Sequence, residues 1–511
     1  MPSMRHIIPA LALVFSLTGA APARPSVSPA DLARIQALTL EGLECAYRMD
    51  FADANRRFDE ALAIEPLHPR PYAGKTTMFF WQCLLSNKEE DRRQFLALAD
   101  RAIESGIQYI DTYGEDADAL TALGILYGQR SFVHGRAKSY LKAAWDGKKS
   151  YDYFYDAVKR DPRAYDAYMG LGVYHYITTF LPKTLQWITS ILGISGDCDR
   201  GIREIRITAE KGLYHRVEAQ YYLAQFLPWS SGDFTSGEKI VNGLLLKYPS
   251  NTILRLTRAV WEIQRNDVAS AKDDLVSILR WENEPVKGIR NYSGYKLGEC
   301  LFRLGEYSRA IDQYGLFLKE YREEVYVATS NYRIGLCYEM TSRRDSALEY
   351  YRRSVKAATR FGDDAHSARS AAERLRSPLT PADTLLITGQ NLLRAGRYDD
   401  ALGAFTPLAG SGEPPGTIKA EALYGLGETR YQKGDFERAL QLYEEVLAVT
   451  LPEKDQWVYP WARYQRGLCY VKLGNRDAAR REFNAVLQYD DYDFKHWLEF
   501  RTERELGRIK Q

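Results

Sequence analysis

Residues 423–446 read LYGLGETRYQKGDFERALQLYEEV and show the pattern of the whole chain most clearly. Apolar residues lie at helical spacing on both sides of Gly434, a turn-forming residue. Gly427 precedes Ala439 by twelve positions, and the aromatic Tyr443 follows four positions later. Glycine in one helix and alanine in the next let the two helices approach closely, and the ring fills the space beside them. The stretch therefore predicts a helix–turn–helix hairpin.

The same spacing recurs through the C-terminal half of the chain. Each unit has a glycine, an alanine twelve positions later and an aromatic residue four positions after that. The further sets are Gly298, Ala310 and Tyr314; Gly335, Ala347 and Tyr351; Gly389, Ala401 and Phe405; and Gly467, Ala479 and Phe483. Weaker units extend toward the N-terminus, to a total of about eleven. Because no hairpin buries its apolar face alone, the units must stack.

This pattern resembles the tetratricopeptide repeat (TPR), in which large-x2-Leu-Gly-x2-Tyr is followed by Ala-x3-Phe. The resemblance covers most of residues 35–490. It implies an all-α fold, a right-handed α-solenoid of stacked helix–turn–helix repeats in one or two arrays. No alternating pattern of useful length predicts a β-strand.

The N-terminus has the layout of a secretory signal peptide. Arg5 precedes an apolar run over 7–17, and a small-x-small cleavage site ends at Ala23. We therefore expect a cleaved signal peptide over 1–23 and an exported protein, periplasmic or associated with the cell envelope if the chain is bacterial. An uncleaved apolar terminus is the alternative interpretation.

The rest of the chain divides at a few shifts in composition. We expect a linker over 24–34, an N-terminal TPR-like array over 35–376, a break at 377–381, a C-terminal TPR array over 382–491, and a capping helix with its tail over 492–511.

The most apolar stretch behind the signal peptide, about 177–192, is expected to be a helix inserted in the first array. Pro182 would begin it, since proline is tolerated in a first helical turn. This helix either packs against the solenoid or docks on a partner or a membrane surface. A basic polar face favours lipid, and only Lys183 supplies that charge.

Residues 170–202 locally resemble the central motif of the eukaryotic inclusion-body clearance family, whose members are TPR proteins linked to mitochondrial surfaces and lipid droplets. Leu181-Pro182 and the run from Gly193 to Asp197 carry the resemblance, whereas Cys198 stands where the family has arginine. The resemblance implies a shared subfold.

Composition and motifs give no support for several other functions. Lys and Arg total 69 and Asp and Glu total 67, so the net charge of +2 lacks the basic excess of a nucleic-acid-binding protein. The seven histidines form no paired metal motif, and there is no Gly-x-Ser-x-Gly elbow. Gly74-Lys75-Thr76 looks like the end of a phosphate loop, but Pro69 stands where that loop needs glycine. We predict no catalytic residue, no cofactor and no metal.

Tyrosine is over-represented, at 36 residues, and several tyrosines lie three positions before a helix glycine. In a TPR array that position looks toward the concave face. These tyrosines are either ordinary packing residues or part of an aromatic groove for a peptide. The candidate partner-binding residues are Tyr295, Glu299, Phe302, Tyr332, Tyr424, Glu428, Tyr431, Trp461 and Tyr464. The family's lysine and asparagine clamp for carboxylate tails is not matched.

The leading prediction is an exported, non-catalytic scaffold that binds a protein or peptide on its concave face. The alternative is an envelope assembly factor that docks on a membrane or membrane protein through the 177–192 helix. An enzyme of unrecognised type is third.

Six cysteines follow the signal peptide. Cys300, Cys337 and Cys469 each lie two residues after a helix glycine, and we predict that they are core residues. A disulfide among the other three stays open, and these are Cys45, Cys83 and Cys198.

Overall fold

The computed structural model describes residues 26–85, 88–179, 193, 196–230, 233–281, 285–321, 324–359, 362–410, 416–490 and 492–509. The helices before residue 282 are α1 (Pro29–Tyr47), α2 (Phe51–Ile64), α3 (Pro69–Leu85), α4 (Glu89–Tyr113), α5 (Ala117–Arg136), α6 (Tyr140–Arg160), α7 (Ala167–Thr179), α8 (Cys198–Lys211), α9 (Arg216–Ser230), α10 (Phe234–Lys247), α11 (Thr252–Gln264) and α12 (Val268–Leu279).

The helices after residue 282 are α13 (Lys287–Arg303), α14 (Tyr307–Glu320), α15 (Val327–Met340), α16 (Arg344–Lys356), α17 (Gly362–Arg376), α18 (Pro381–Arg394), α19 (Tyr398–Gly410), α20 (Gly416–Gln432), α21 (Phe436–Ala448), α22 (Val458–Lys472), α23 (Arg476–Val486) and α24 (Lys495–Ile509). A short 3-10 turn covers Glu453–Asp455. Within the described ranges no residue belongs to a strand, and the all-α, TPR-like prediction is confirmed.

Helix glycines set the distance between the two helices of a hairpin. A Cβ atom at Gly427 would lie 2.6 Å from Cε1 of Tyr443, and one at Gly467 would lie 2.4 Å from Cε1 of Phe483. Both rings are fully buried. Only glycine therefore lets α20 and α22 each receive an aromatic ring from the following helix, as the sequence spacing predicts.

The turns inside these hairpins also need glycine. Four glycines that follow a first helix have φ between 73° and 80°, in the left-handed region that side chains with a Cβ seldom adopt. They are Gly305, Gly396, Gly434 and Gly474. Gly434 lies at the turn that the sequence predicts, and the other three occupy the same place in their own hairpins.

The chain divides into two compact units. Of the described residues, unit 1 holds those within 26–44, 52–77 and 96–219, and unit 2 holds those within 45–51, 78–95 and 220–509. In unit 2 consecutive helices from α11 to α17 and from α18 to α24 pack against one another. The first helices of neighbouring hairpins also touch, since α13 contacts α15, α18 contacts α20, and α20 contacts α22. This stacking is how repeat units bury their apolar faces.

Several predicted boundaries can be placed on these helices. Residues 29–34, which the sequence assigns to a linker, form the start of α1, where Ser28 Oγ accepts a hydrogen bond from the Asp31 backbone at 3.1 Å. The predicted break at 377–381 lies inside unit 2, at a capping box in which Thr380 starts α18. The predicted signal peptide over 1–23 and residues 180–192 of the expected inserted helix lie outside the described residues.

Three cysteines occupy the core position that their register predicts. Cys300, Cys337 and Cys469 are buried free thiols, and burial raises the pKa of each thiol to about 12. The prediction for these three residues is confirmed.

Candidate partner-binding groove

A groove of about 540 Å³ crosses the first helices of successive hairpins in unit 2. Most of its lining residues come from α13, α15, α18, α20, α22 and the last helix, α24, and the others are Phe405 on α19 and Trp457 just before α22. On the hairpin helices, most lining positions fall six or two residues before the helix glycine, or one or five residues after it. These steps of three and four residues follow one face of an α-helix.

One part of the groove is aromatic. Trp457, Trp461 and Trp497 line it, and the rings of Trp461 and Trp497 lie 5.5 Å apart with planes tilted by 33°. Trp497 remains 47% exposed. Phe302 and Tyr424 also line the groove. Large, partly exposed aromatic rings are the residues that most often anchor a protein ligand.

Two acidic residues of the groove are neutralised by neighbouring cations. Glu299 pairs with Lys296 at 2.8 Å and with Arg303. Burial alone would raise the pKa of Glu299, but Arg303 and Lys296 lower it to about 2. Glu428 pairs with Arg394 at 3.0 Å.

Two arginines of the groove have no such neighbour. The Arg333 guanidinium lies over the Phe302 ring at 4.8 Å, and the Arg501 guanidinium lies over the Trp497 ring at 4.5 Å. Within the described part of the chain, neither arginine forms an ion pair with a carboxylate. Glu299 attracts Arg333 without forming an ion pair, so the Arg333 charge is partly compensated, whereas Arg501 is not paired with a carboxylate in the described ranges.

The third acidic residue of the groove, Glu421, receives a hydrogen bond from the Gln390 amide at 3.3 Å. Burial raises the pKa of Glu421 to about 7, although Gln390 acts in the opposite direction. This carboxyl group therefore changes its charge near neutral pH.

The terminal helix α24 is attached to an earlier part of unit 2. Asp493, just before α24, lies 2.8 Å from Nδ1 of His366 and also pairs with Arg369, both on α17. Burial alone would raise the pKa of Asp493, but hydrogen bonds from His366 and Arg369 lower it. This contact holds α24 where Trp497 and Arg501 line the groove.

Five of the nine predicted partner-binding residues line the groove. They are Glu299, Phe302, Tyr424, Glu428 and Trp461. The other four pack against aromatic rings of their own or the following helix. Tyr295 lies 5.6 Å from Phe317, Tyr332 lies 5.9 Å from Tyr351, Tyr431 lies 5.3 Å from Phe436, and Tyr464 lies 5.7 Å from Phe483. Their part in partner binding stays a prediction.

The helical register explains where the tyrosines lie. A residue three positions before the glycine shares the glycine's own face, which packs against the second helix. Tyr295 and Tyr464 are therefore buried at this position, whereas Tyr424, three residues before Gly427, also borders the groove. The residue one position later is turned by about 100° and reaches the groove. Arg333 and Gln465 hold that place.

Sequence reasoning missed most of the charged and amide residues of the groove. The missed arginines are Arg303, Arg333, Arg394 and Arg501, and the other missed polar residues are Gln390, Asn391, Glu421 and Gln465. Those on the hairpin helices could have been found by following the four- and three-residue steps along each helix. Trp497 and Arg501 lie on α24, outside the repeat spacing, and no motif marks them.

None of the described helices is both long enough and apolar enough to cross a bilayer. Across the described ranges, His, Cys, Asp and Glu side chains form no group of three or more that could hold a metal ion.

Comparison with known proteins identifies the repeat. Three tetratricopeptide repeat family models match residues 292–323, 388–453 and 430–502. This chain carries tetratricopeptide repeats. The matched TPR segments include α18, α20 and α22, which border the groove. TPR domains generally bind protein or peptide partners and are typically non-catalytic. The matched segments do not include 170–202, so the resemblance to the inclusion-body clearance family has no support.

Similar proteins cover the chain to different extents. The "Protein CTR9 homolog" of Arabidopsis thaliana is 31% identical over 183 residues, which are 36% of this chain and 15% of that protein. The match to the yeast Tom70 structure covers 90% of this chain and 100% of the Tom70 chain, with 13% identity and a TM-score of 0.30. The match to the structure of a TPR protein from Parabacteroides merdae covers 57% of this chain and 98% of that protein's chain, with 15% identity and a TM-score of 0.25.

Proposed function

We propose that this chain is a non-catalytic scaffold that binds an extended segment of a partner protein in the groove of unit 2. The observation that carries the proposal is the groove itself, about 540 Å³ in volume and lined by three tryptophans beside arginine, glutamate and amide side chains. Tryptophan and arginine are the residue types most enriched among those that dominate binding energy at protein interfaces.

An extended segment suits the arrangement of the groove better than a compact ligand does. Most of the lining residues come from five successive first helices and from α24. Packed helices lie about 8–10 Å apart, which is close to the length of three extended residues. A partner segment of several residues can therefore contact more than one repeat while its side chains reach the tryptophan rings.

Localisation is a separate part of the proposal. The sequence layout over 1–23 supports export, with periplasmic or envelope placement in a bacterial cell. Determination of the N-terminal residue of the protein purified from its native host tests this point. A mature protein that begins near Arg24 supports export, and an intact Met1 contradicts it.

A random peptide library tests the binding function. The full chain is used to select peptides, and each selected peptide is measured again with Trp461→Ala, Trp497→Ala and the double variant. We expect the double variant to lose at least tenfold in affinity, about 1.4 kcal/mol. Trp145→Ala is the matched control, because Trp145 lies in unit 1 and is 67% exposed.

Thermal melting of each variant is recorded alongside binding. Selected peptides that bind the double variant and the native chain equally well would contradict the assignment of the groove. Loss of affinity in Trp145→Ala that matches the loss in the double variant would contradict it as well.

A further inference from the structure

We infer that the partner segment recognised by this groove is acidic, and that Asp or Glu side chains of the partner bind Arg333 and Arg501. Next to them, an aromatic or large aliphatic side chain of the same segment packs on Trp461 and Trp497. This inference rests on the proposed function and names the chemical class of the partner.

The distribution of charge in the groove supports an anionic ligand. Four arginines line it, and the groove's own glutamates neutralise two of them, through the Glu299 pair with Arg303 and the Glu428 pair with Arg394. Within the described ranges, Arg333 and Arg501 form no ion pair with a carboxylate, although Glu299 attracts Arg333 from a greater distance. Binding a carboxylate at each would complete the charge pairing that the other two arginines already have.

The orientation of these two guanidinium groups suits carboxylates. One face of Arg333 is covered by Phe302, and Arg501 lies over Trp497 and also over Tyr464 at 5.1 Å. Stacking on a ring occupies the flat face of a guanidinium and leaves its N–H groups directed outward in the plane. A carboxylate accepts two parallel hydrogen bonds from that edge.

The aromatic wall lies beside one of these charges. Trp497 stacks on Arg501 and lies 5.5 Å from Trp461. An acidic residue bound at Arg501 therefore brings the neighbouring residues of its own segment close to both indole rings. A segment that combines acidic and aromatic residues would use both features.

Glu421 links the inference to pH. Burial raises its pKa to about 7, and the charged groups that act on it are Asp455, Asp383 and Arg374. Above pH 7 its carboxylate adds a negative charge to the groove and repels an acidic ligand. The ligand's own Asp and Glu side chains stay ionised from pH 6 to 8. An acidic segment should therefore bind more tightly at pH 6 than at pH 8.

A nucleic acid fits these observations less well than an acidic protein segment. Three glutamates line the groove, and only two of its arginines are unpaired, so it lacks the continuous basic stripe that a phosphate backbone needs. The net charge of the whole chain is only +2.

Two matched peptides test the inference on the full chain. One has alternating aspartate and phenylalanine between glycines, with acetylated and amidated ends. The other replaces each aspartate with asparagine. Affinity is measured by fluorescence anisotropy at pH 6 and pH 8. We expect the aspartate peptide to bind at least tenfold more tightly than the asparagine peptide, and more tightly at pH 6 than at pH 8.

Arginine variants assign the preference to the groove. The combined Arg333→Gln and Arg501→Gln variant should lose at least tenfold in affinity for the aspartate peptide and change little for the asparagine peptide. Arg163→Gln removes the same charge at a side chain of unit 1 that is 80% exposed, and should leave both affinities unchanged. Glu421→Gln should remove the difference between pH 6 and pH 8.

Several results would overturn the inference. These are equal affinity for the two peptides, no detectable binding of the aspartate peptide, or an equal loss for both peptides in the arginine variant. Tighter, arginine-dependent binding of a short oligouridine RNA would show instead that the groove takes a phosphate backbone. If library peptides need Trp461 and Trp497 but show no preference for acidic residues, the proposed function stands and this inference fails.

Discussion

Tyr464→Ala separates a packing role from a binding role for the tyrosines that lie three residues before a helix glycine. The Tyr464 side chain is 1% exposed, and its ring lies 5.7 Å from Phe483 in a cluster with Val486 and Leu498. A fully buried tyrosine removes roughly 150–200 Å² from water. At about 25 cal/mol per Å², this corresponds to about 4–5 kcal/mol.

The unfolded chain already hides part of that surface, so we expect Tyr464→Ala to lower the free energy of unfolding by about 3–4 kcal/mol. Tyr464→Phe keeps the ring and should cost less than about 1.5 kcal/mol. The free energies come from urea titrations followed by circular dichroism. Hydrogen exchange of α22, α23 and α24 is measured in parallel, because a repeat array can unfold in parts.

One outcome for Tyr464→Ala would contradict a packing role for this ring. If Tyr464→Ala keeps the native urea midpoint and native exchange rates but loses tenfold or more in affinity for a groove peptide, the ring faces the ligand. The register that places this position against the second helix would then be wrong.

Three further predictions concern buried groups of unit 2. Glu421→Gln should raise the free energy of unfolding, measured by urea titration, more at pH 8 than at pH 5. The folded pKa of Glu421 is raised to about 7, so the stability that this group contributes falls as pH rises from about 4.5 to 7 and is absent above that range. Gly467→Ala should lower the free energy of unfolding by about 1–3 kcal/mol because its Cβ would overlap Phe483. Gly507→Ala is the control, since nothing lies within 4 Å of that position, and it should raise the free energy of unfolding by up to about 1 kcal/mol. The thiols of Cys300, Cys337 and Cys469 should react with a thiol reagent only after denaturation, and fewer than three free thiols in the denatured, unreduced protein would contradict their placement.

The helices and their turns could be predicted from the sequence because they depend on local rules. The spacing of Gly427, Ala439 and Tyr443 fixes one hairpin, and left-handed backbone at Gly434 requires a residue without a side chain. Because each unit is predicted from its own residues, a wrong prediction for one unit does not change the prediction for the next.

The groove was harder to predict because it depends on rotation and on distant partners. The residues three before and two before a helix glycine are neighbours in sequence but differ by about 100° around the helix. That rotation decides that Tyr464 lies in the core and Gln465 in the groove. Sequence alone also could not show that Arg394 is paired while Arg333 is not, since the pairing of Arg394 with Glu428 joins residues 34 positions apart.

The attachment of α24 has a consequence for when the protein can bind a partner. The contact between His366 and Asp493 joins residues 127 positions apart, whereas repeat units mostly contact their neighbours. The helix α24 also packs against its neighbour α23, so this long-range contact adds to a local one. During synthesis α13 to α22 can stack before α24 is made, but Trp497 and Arg501 join the groove only after α24 docks. The hairpins made earlier therefore lack a complete binding surface until α24 has docked.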